Sequence, residues 1–160
     1  MSTVARRRIV SDINKVRKGS YSGIFAMPFV ENMMFCHAII NGPEGTVWES
    51  GTFHLIIHFT EEYPTKSPEV RFLSRIYHPN IYPDGRICLD ILQNQWSALF
   101  DISSILTSIQ SLLNDPNPNS PANIEASETF LKNPNHYNSI VLKCVEDSWC
   151  CPDYTLPEDV

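Results

Sequence analysis

Apolar runs are short in this chain, and none approaches the ~18 consecutive residues that a helix needs to cross a bilayer. Behind the arginines of MSTVARRR comes no apolar stretch of the kind a secretory leader carries, so neither secretion nor membrane insertion is expected. Basic residues are scarce: 12 Lys and Arg face 18 Asp and Glu, a net charge of -6. That balance opposes any non-specific grip on nucleic acid or anionic lipid, so association with DNA is expected to be indirect. Cys-x-x-Cys spacing is absent, and the five cysteines, Cys36, Cys88, Cys144, Cys150 and Cys151, form an odd set that fits neither a disulfide framework nor a zinc site. A reducing compartment and a metal-free protein follow as expectations. Internal repeats are missing too, which points to one domain.

What is present is the composition of one folded domain, 160 residues with 42% hydrophobic and 19% charged side chains. A chain of that length buries roughly two-thirds of its unfolded surface without disulfide or metal. We expect one core domain over residues 1–151 and a short, acidic, mobile tail over 152–160. Ile9, Ile13 and Val16 recur at helical spacing and predict an amphipathic helix from Ala5 to Lys18, with Ser2 or Thr3 as its cap and Gly19 as its terminator. Arg6, Arg7 and Arg8 on its other face are either a solvated surface or a partner face. Arginines in a first turn oppose the helix dipole, which hints at a partner.

Alternation then takes over. A strand is predicted at Ile24 to Met27, a second at Met34 to Ile40, a third carrying Phe53, Leu55, Ile57 and Phe59, and a fourth at Glu69 to Leu73. Gly42-Pro43-Glu44-Gly45 reads as a turn, and the four strands as an antiparallel meander. Met27 to Met33 is apolar without an assigned role, either core or contact surface. From Arg75 to Phe100 the pattern breaks into Pro, Asn, Asp and Gly while keeping Ile81, Ile87, Leu89 and Trp96, which marks an irregular but packed segment of the functional kind. Asp101 then caps a helix through Leu113. Asp115 to Asn123, with three prolines and three asparagines, must be a rigid loop. Helices at Ile124 to Leu131 and Pro134 to Trp149, the latter capped by Asn133, complete an α+β fold.

Cys88 lies in the irregular segment, within HPNIYPDGRICLDILQNQWS. A lone cysteine is commonly a small buried hydrophobe, and no papain-like or caspase-like motif surrounds this one. His78-Pro79-Asn80 followed by Cys88-Leu89-Asp90 and then Trp96, with Tyr63-Pro64 and Pro68 before and Asp115-Pro116-Asn117-Pro118 after, strongly resembles the ubiquitin-conjugating enzyme family from Met1 to Trp149. MSTVARRR, GPEGT, FTEEYP, SSILTSIQSLL and PNPNSPAN look like the subclass acting in post-replication DNA repair and histone monoubiquitination. Departures concern docking surfaces: Gly19-Ser20-Tyr21-Ser22 replaces a proline pair, Val4 replaces a proline, and Trp96-Ser97-Ala98 replaces Trp-Ser-Pro.

The resemblance implies that the chain takes ubiquitin from an activating enzyme as a thioester on Cys88 and passes it to a substrate lysine with a RING-type ligase. No cofactor is expected to stay bound, because ATP is consumed by the upstream activating enzyme. Thiol exchange needs no metal and no large drop in thiol pKa. When the lysine attacks, the tetrahedral oxygen needs a donor, which Asn80 could supply directly or by holding the loop that does; the alternative is a turn asparagine bonding its own backbone. His78, restricted by Pro79, is read as a buttress rather than a general base. Asp90 and Ser120 resemble the residues that shape the lysine's approach, and the Ser120-Pro121 pair fits proline-directed phosphorylation. Tyr77 and Asn117 resemble groove residues, their alternatives being a packed aromatic and a rigid loop; Leu89 adjoins the same groove. Ligase docking would fall on Arg7, Arg8, Pro64, Thr65, Ser97, Ala98 and Leu99, the two loops forming one exposed apolar rim. Substrates implied are histones or a replication clamp, in the cytoplasm and nucleus. Left open are a carrier of another ubiquitin-like modifier, a non-catalytic ubiquitin-binding relative and a thiol hydrolase. Cys150-Cys151 reads as a frayed, oxidation-prone pair.

Overall fold

The computed structural model describes residues 3–19 and 21–154. Ser2, Ser20 and residues 155–160 of the expected tail lie outside the described residues. The first helix, α1, spans Val4–Lys18, and its cap is Thr3, whose hydroxyl oxygen accepts from the Arg6 amide at 3.2 Å. It buries Ala5, Ile9, Ile13 and Val16 as the 3.6-residue period demands, and Asp12 with them. Gly19 does end the helix, but with extended backbone rather than the left-handed conformation usual for a terminal glycine.

Four strands follow: β1 (Ile24–Pro28), β2 (Phe35–Asn41), β3 (Thr52–His58) and β4 (Glu69–Phe72). They pair antiparallel in sequence order, with Ala26 opposite Ala38, Ala38 opposite Leu55, and Leu55 opposite Phe72. The expected meander is therefore present. One face carries Ala38, Ile40, Phe53, Leu55 and Ile57 into the core against α1 and against α2 (Ile102–Leu113), whose Ile105, Leu106 and Ile109 are fully buried. Burying each such side chain contributes roughly 1.5–3 kcal/mol. Asp101 and Ser104 form a reciprocal cap at the start of α2.

Strand β3 departs from simple alternation, since His54 and Ile56 on the outer face are buried as well. His54 reaches across to His37, Nδ1 to Nε2 at 2.9 Å, and takes a position covered by neighbouring strands. The Met27 to Met33 segment divides: Met27 and Val30 are exposed, while Phe29 lies 6.4 Å from the ring of Tyr154. Tyr154 also sits 5.9 Å from the Arg71 guanidinium, so the described part of the tail lies against the outer face of the sheet. Helices α3 (Ile124–Lys132) and α4 (Pro134–Asp147) close the chain, each capped by an asparagine side chain.

Candidate active site and docking rim

Beyond β4 the chain turns away from the sheet and buries His78 completely. Its Nδ1 accepts from the Asn80 amide at 3.0 Å, so the proton resides on Nε2, which donates to the Leu112 carbonyl at 2.7 Å. That carbonyl ends α2, where helix oxygens lack partners from their own helix. Burial pushes the imidazole down to about 4, against the smaller opposing effect of its backbone hydrogen bonds. A neutral, fully occupied imidazole is a buttress, as the proline after it implied.

Asn80 is 2% exposed and uses its whole amide. Oδ1 accepts from the Asn117 amide at 2.7 Å, while Nδ2 donates to the carbonyls of Asn117 at 2.8 Å and Ser120 at 3.2 Å. Neither amide hydrogen remains for an incoming oxyanion in this conformation, so of the two routes open to Asn80 the geometry matches the holding of the loop. Pro79 adds to the clamp, its carbonyl accepting from the amides of Ala122 and Asn123 at 2.7 and 3.0 Å.

The backbone of Asn80 faces the other way. Its carbonyl accepts from the Cys88 amide at 2.8 Å, closing a small hairpin in which Ile81 pairs with Ile87 and Tyr82 with Arg86. The turn works because residue 85 is glycine: its φ is +93°, and a Cβ there would stand 2.1 Å from the Phe72 carbonyl oxygen. Phe72 in turn donates its amide to Gly85. Cys88 is thereby hung, half-buried, on the same residue that clamps the 115–123 loop.

The other cysteines differ. Cys36 is fully buried on β2, and desolvation pushes its thiol up to about 12. Cys144 is buried on α4 and raised by the same cause. Cys150 and Cys151 are exposed beyond the end of α4. Only Cys88 combines access with a structured loop.

Asp90 is exposed and opens a single 3-10 turn (Asp90–Leu92), Oδ1 accepting from the Ile91 amide at 2.7 Å. Together with Leu89, Thr107, Ser111 and Asp115 it lines a cleft of about 300 Å³. Ser120 and Asn117 are exposed on the clamped loop. Tyr77 is buried, bonds its hydroxyl to that of Thr129 on α3 at 3.0 Å, and packs 5.8 Å from the ring of Tyr137 on α4. The packed-aromatic alternative is the one observed.

The two predicted docking loops do meet. Trp96 Nε1 donates to the Pro64 carbonyl at 2.9 Å, and the rings of Tyr63, Trp96 and Phe100 run in sequence beneath the rim. On top of it Thr65, Ala98 and Leu99 are exposed, Leu99 by 90%, while Pro64 and Ser97 are half-buried. Arg7 stays on the exposed surface of α1. Arg8 turns its guanidinium inward: Nε donates to Asp12 Oδ1 at 2.9 Å, and Nη2 donates to the carbonyls of Ala98 at 3.0 Å and Phe100 at 2.8 Å. The buried Asp12 also accepts a hydrogen bond from the Tyr63 hydroxyl through Oδ2. Asp12 escaped the sequence reading, although a carboxylate on the apolar stripe of α1, four residues after an arginine, was the available signal.

Residues 8–145 match the family model described as ubiquitin-conjugating enzyme. The chain is 54% identical over 149 residues to ubiquitin-conjugating enzyme E2 3 of Arabidopsis thaliana, a match covering 93% of this chain and 99% of the relative. It is 52% identical over 149 residues to ubiquitin-conjugating enzyme E2 2 of Kluyveromyces lactis, covering 93% of this chain and 91% of that protein.

Proposed function

Because the chain belongs to the ubiquitin-conjugating enzyme family, we propose that Cys88 carries the ubiquitin thioester and that a RING-type ligase assists its transfer to a substrate lysine. Membership brings ubiquitin, an activating enzyme and a ligase as partners. The choice of Cys88 rests on one observation: among the described cysteines it alone is partly accessible and fixed in an ordered loop, its amide bound to the residue that holds the loop opposite. Charging is a thiol exchange, in which the Cys88 thiolate attacks the activating enzyme's thioester and that enzyme's thiolate leaves. In discharge a lysine amine attacks the same carbonyl, the Cys88 thiolate departs, and the amine loses its proton to solvent.

Asp90 and Ser120 flank the lysine's path, and the 115–123 loop forms its far wall. ATP enters through the activating enzyme, and no step here calls for a metal or bound cofactor. The motifs shared with the repair and histone-modifying subclass support substrates of that kind, histones or a replication clamp, and work in the nucleus and cytoplasm. Contact with DNA would run through the substrate, given the net charge of -6. No described helix is long and apolar enough to cross a membrane.

The test mixes the protein with ubiquitin, activating enzyme and ATP and looks for an adduct that a thiol reductant removes. Cys88→Ala should abolish it, Cys88→Ser should leave at most a reductant-resistant ester, and the other four cysteines should be dispensable for it. Full charging of Cys88→Ala would end this reading. Charging only with a different modifier and its own activating enzyme would move the chain to another branch of the family.

A further inference from the structure

Arg8 sits on the edge of the proposed docking rim without presenting its charge to it. Its side chain is 28% exposed and that of Asp12 is 1% exposed, so the ion pair between them lies mostly inside the protein. Five polar groups converge there. The guanidinium spans Asp12 and the carbonyls of Ala98 and Phe100, two residues that bracket Leu99, the most exposed apolar side chain of the rim. Asp12 answers from the other side by accepting from Tyr63, which immediately precedes Pro64 of the second loop. Burial and the bond to Asp12 hold the Tyr63 phenol well above its ordinary value, so it remains a donor. The guanidinium carbon of Arg8 also lies 5.8 Å from the centroid of the Tyr63 ring, over its face.

We propose that Arg8 and Asp12 are positioning residues, which join α1 to both docking loops and fix the conformation in which Leu99 is offered to the ligase. The proposal rests on the reading of the 64–65 and 97–99 loops as the ligase surface. It assigns Arg8 a role different from direct charge contact. A guanidinium is required because its planar fork can serve a carboxylate and two carbonyls at once, which a lysine ammonium cannot do with the same geometry. Asp12 is required because an arginine drawn inward without a partner would carry an uncompensated charge. Ligase affinity should therefore depend on residues that the ligase never touches.

The experiment uses the full chain and a purified RING domain chosen because it accelerates discharge of the wild-type thioester to free lysine. Affinity is measured for Arg8→Lys, Asp12→Asn and Leu99→Glu at low and high salt, alongside hydrogen exchange at the amides of Leu99 and Phe100, and melting curves confirm folding. Arg8→Lys and Asp12→Asn should each weaken binding on the order of tenfold, the size of coupling between neighbouring groups. The loss should be the same at both salts, and the two amides should exchange faster while those of β3 stay protected. Wild-type affinity for Arg8→Lys would overturn the proposal. So would a loss that disappears at high salt with both amides still protected, since that marks a surface charge acting on the partner. If Leu99→Glu also binds normally, the rim itself is misassigned; if Leu99→Glu weakens binding and Arg8→Lys does not, only the positioning role fails.

Discussion

Both amide hydrogens of Asn80 end on carbonyls of the 115–123 loop, which changes what its removal should do. Asn80→Ala should charge nearly normally yet discharge to lysine more slowly, because the 115–123 loop loses the three side-chain bonds that hold it. Asn80→Asp tests the holding role. It keeps the acceptor for the Asn117 amide but sets a carboxylate against two carbonyl oxygens, so it should be as slow as the alanine variant and should loosen the loop, seen as faster exchange at the Asn117 amide. Equal slowing of charging and discharge in single-turnover assays would instead show that the Cys88 hairpin had collapsed. Ser120 poses a purely electrostatic question, being exposed on that loop. A carboxylate or phosphate there should attract the lysine ammonium, so Ser120→Asp should discharge thioester to free lysine up to about fivefold faster at low salt, the advantage shrinking as salt screens it. A slower variant, or one indifferent to salt, removes the gate.

At the scale of elements, the hairpin that carries Cys88 depends on one backbone position. Gly85 and Gly45 both have positive φ, +93° and +73°, but only Gly85 has a neighbour in the way of a Cβ. Gly45→Ala should cost about 1 kcal/mol of stability, the strain of a left-handed alanine. Gly85→Ala should cost roughly 3 kcal/mol by adding displacement of β4 to that strain, and should slow charging because Cys88 moves with the hairpin. Denaturant unfolding of the two variants gives the comparison directly, and equal losses would mean that the hairpin is free to shift off Phe72. Helices and strands were legible because their signals are local: the apolar spacing of α1 and α2, the Asp101 and Asn133 caps, and the alternation of β2 and β3. Strand β3 shows where such signals stop. Its period marks an inner face, but nothing within the strand states that His54 will also be covered by its neighbours.

The whole molecule carries a pH dependence set by neutral histidines. In the unfolded chain His78 takes up a proton near 6.5, and in the folded one only near 4. Between those values the unfolded state binds more protons, so stability falls as pH drops through this window and is fully regained above it. His78 alone accounts for up to about 3 kcal/mol. His37 and His54 are lowered as well, by burial and, for His54, by the charge of its partner, so they act in the same direction. Unfolding free energies at pH 7 and pH 4.5 should differ by about that amount or more, and His78→Gln should flatten the difference while lowering stability at pH 7. An unchanged pH dependence in that variant would exclude His78 as its main source.

The sequence by itself determined the order and type of elements, the α+β class, and the segment in which Cys88 lies, because periodicity, capping and motif spacing are all written within a few residues of one another. Only the tertiary structure decided which polar side chains face outward. Arg8 meets carbonyls 90 and 92 residues away, Asp12 meets a hydroxyl 51 residues away, Asn80 clasps a loop nearly 40 residues on, and Tyr77 bonds a helix 52 residues later. Arg8 and Tyr77 each had an alternative surface or groove role that local sequence could not refuse, and Asp12 had no reading at all. A buried polar group must find a partner wherever the fold supplies one, and that partner is fixed by packing rather than by neighbours in the chain.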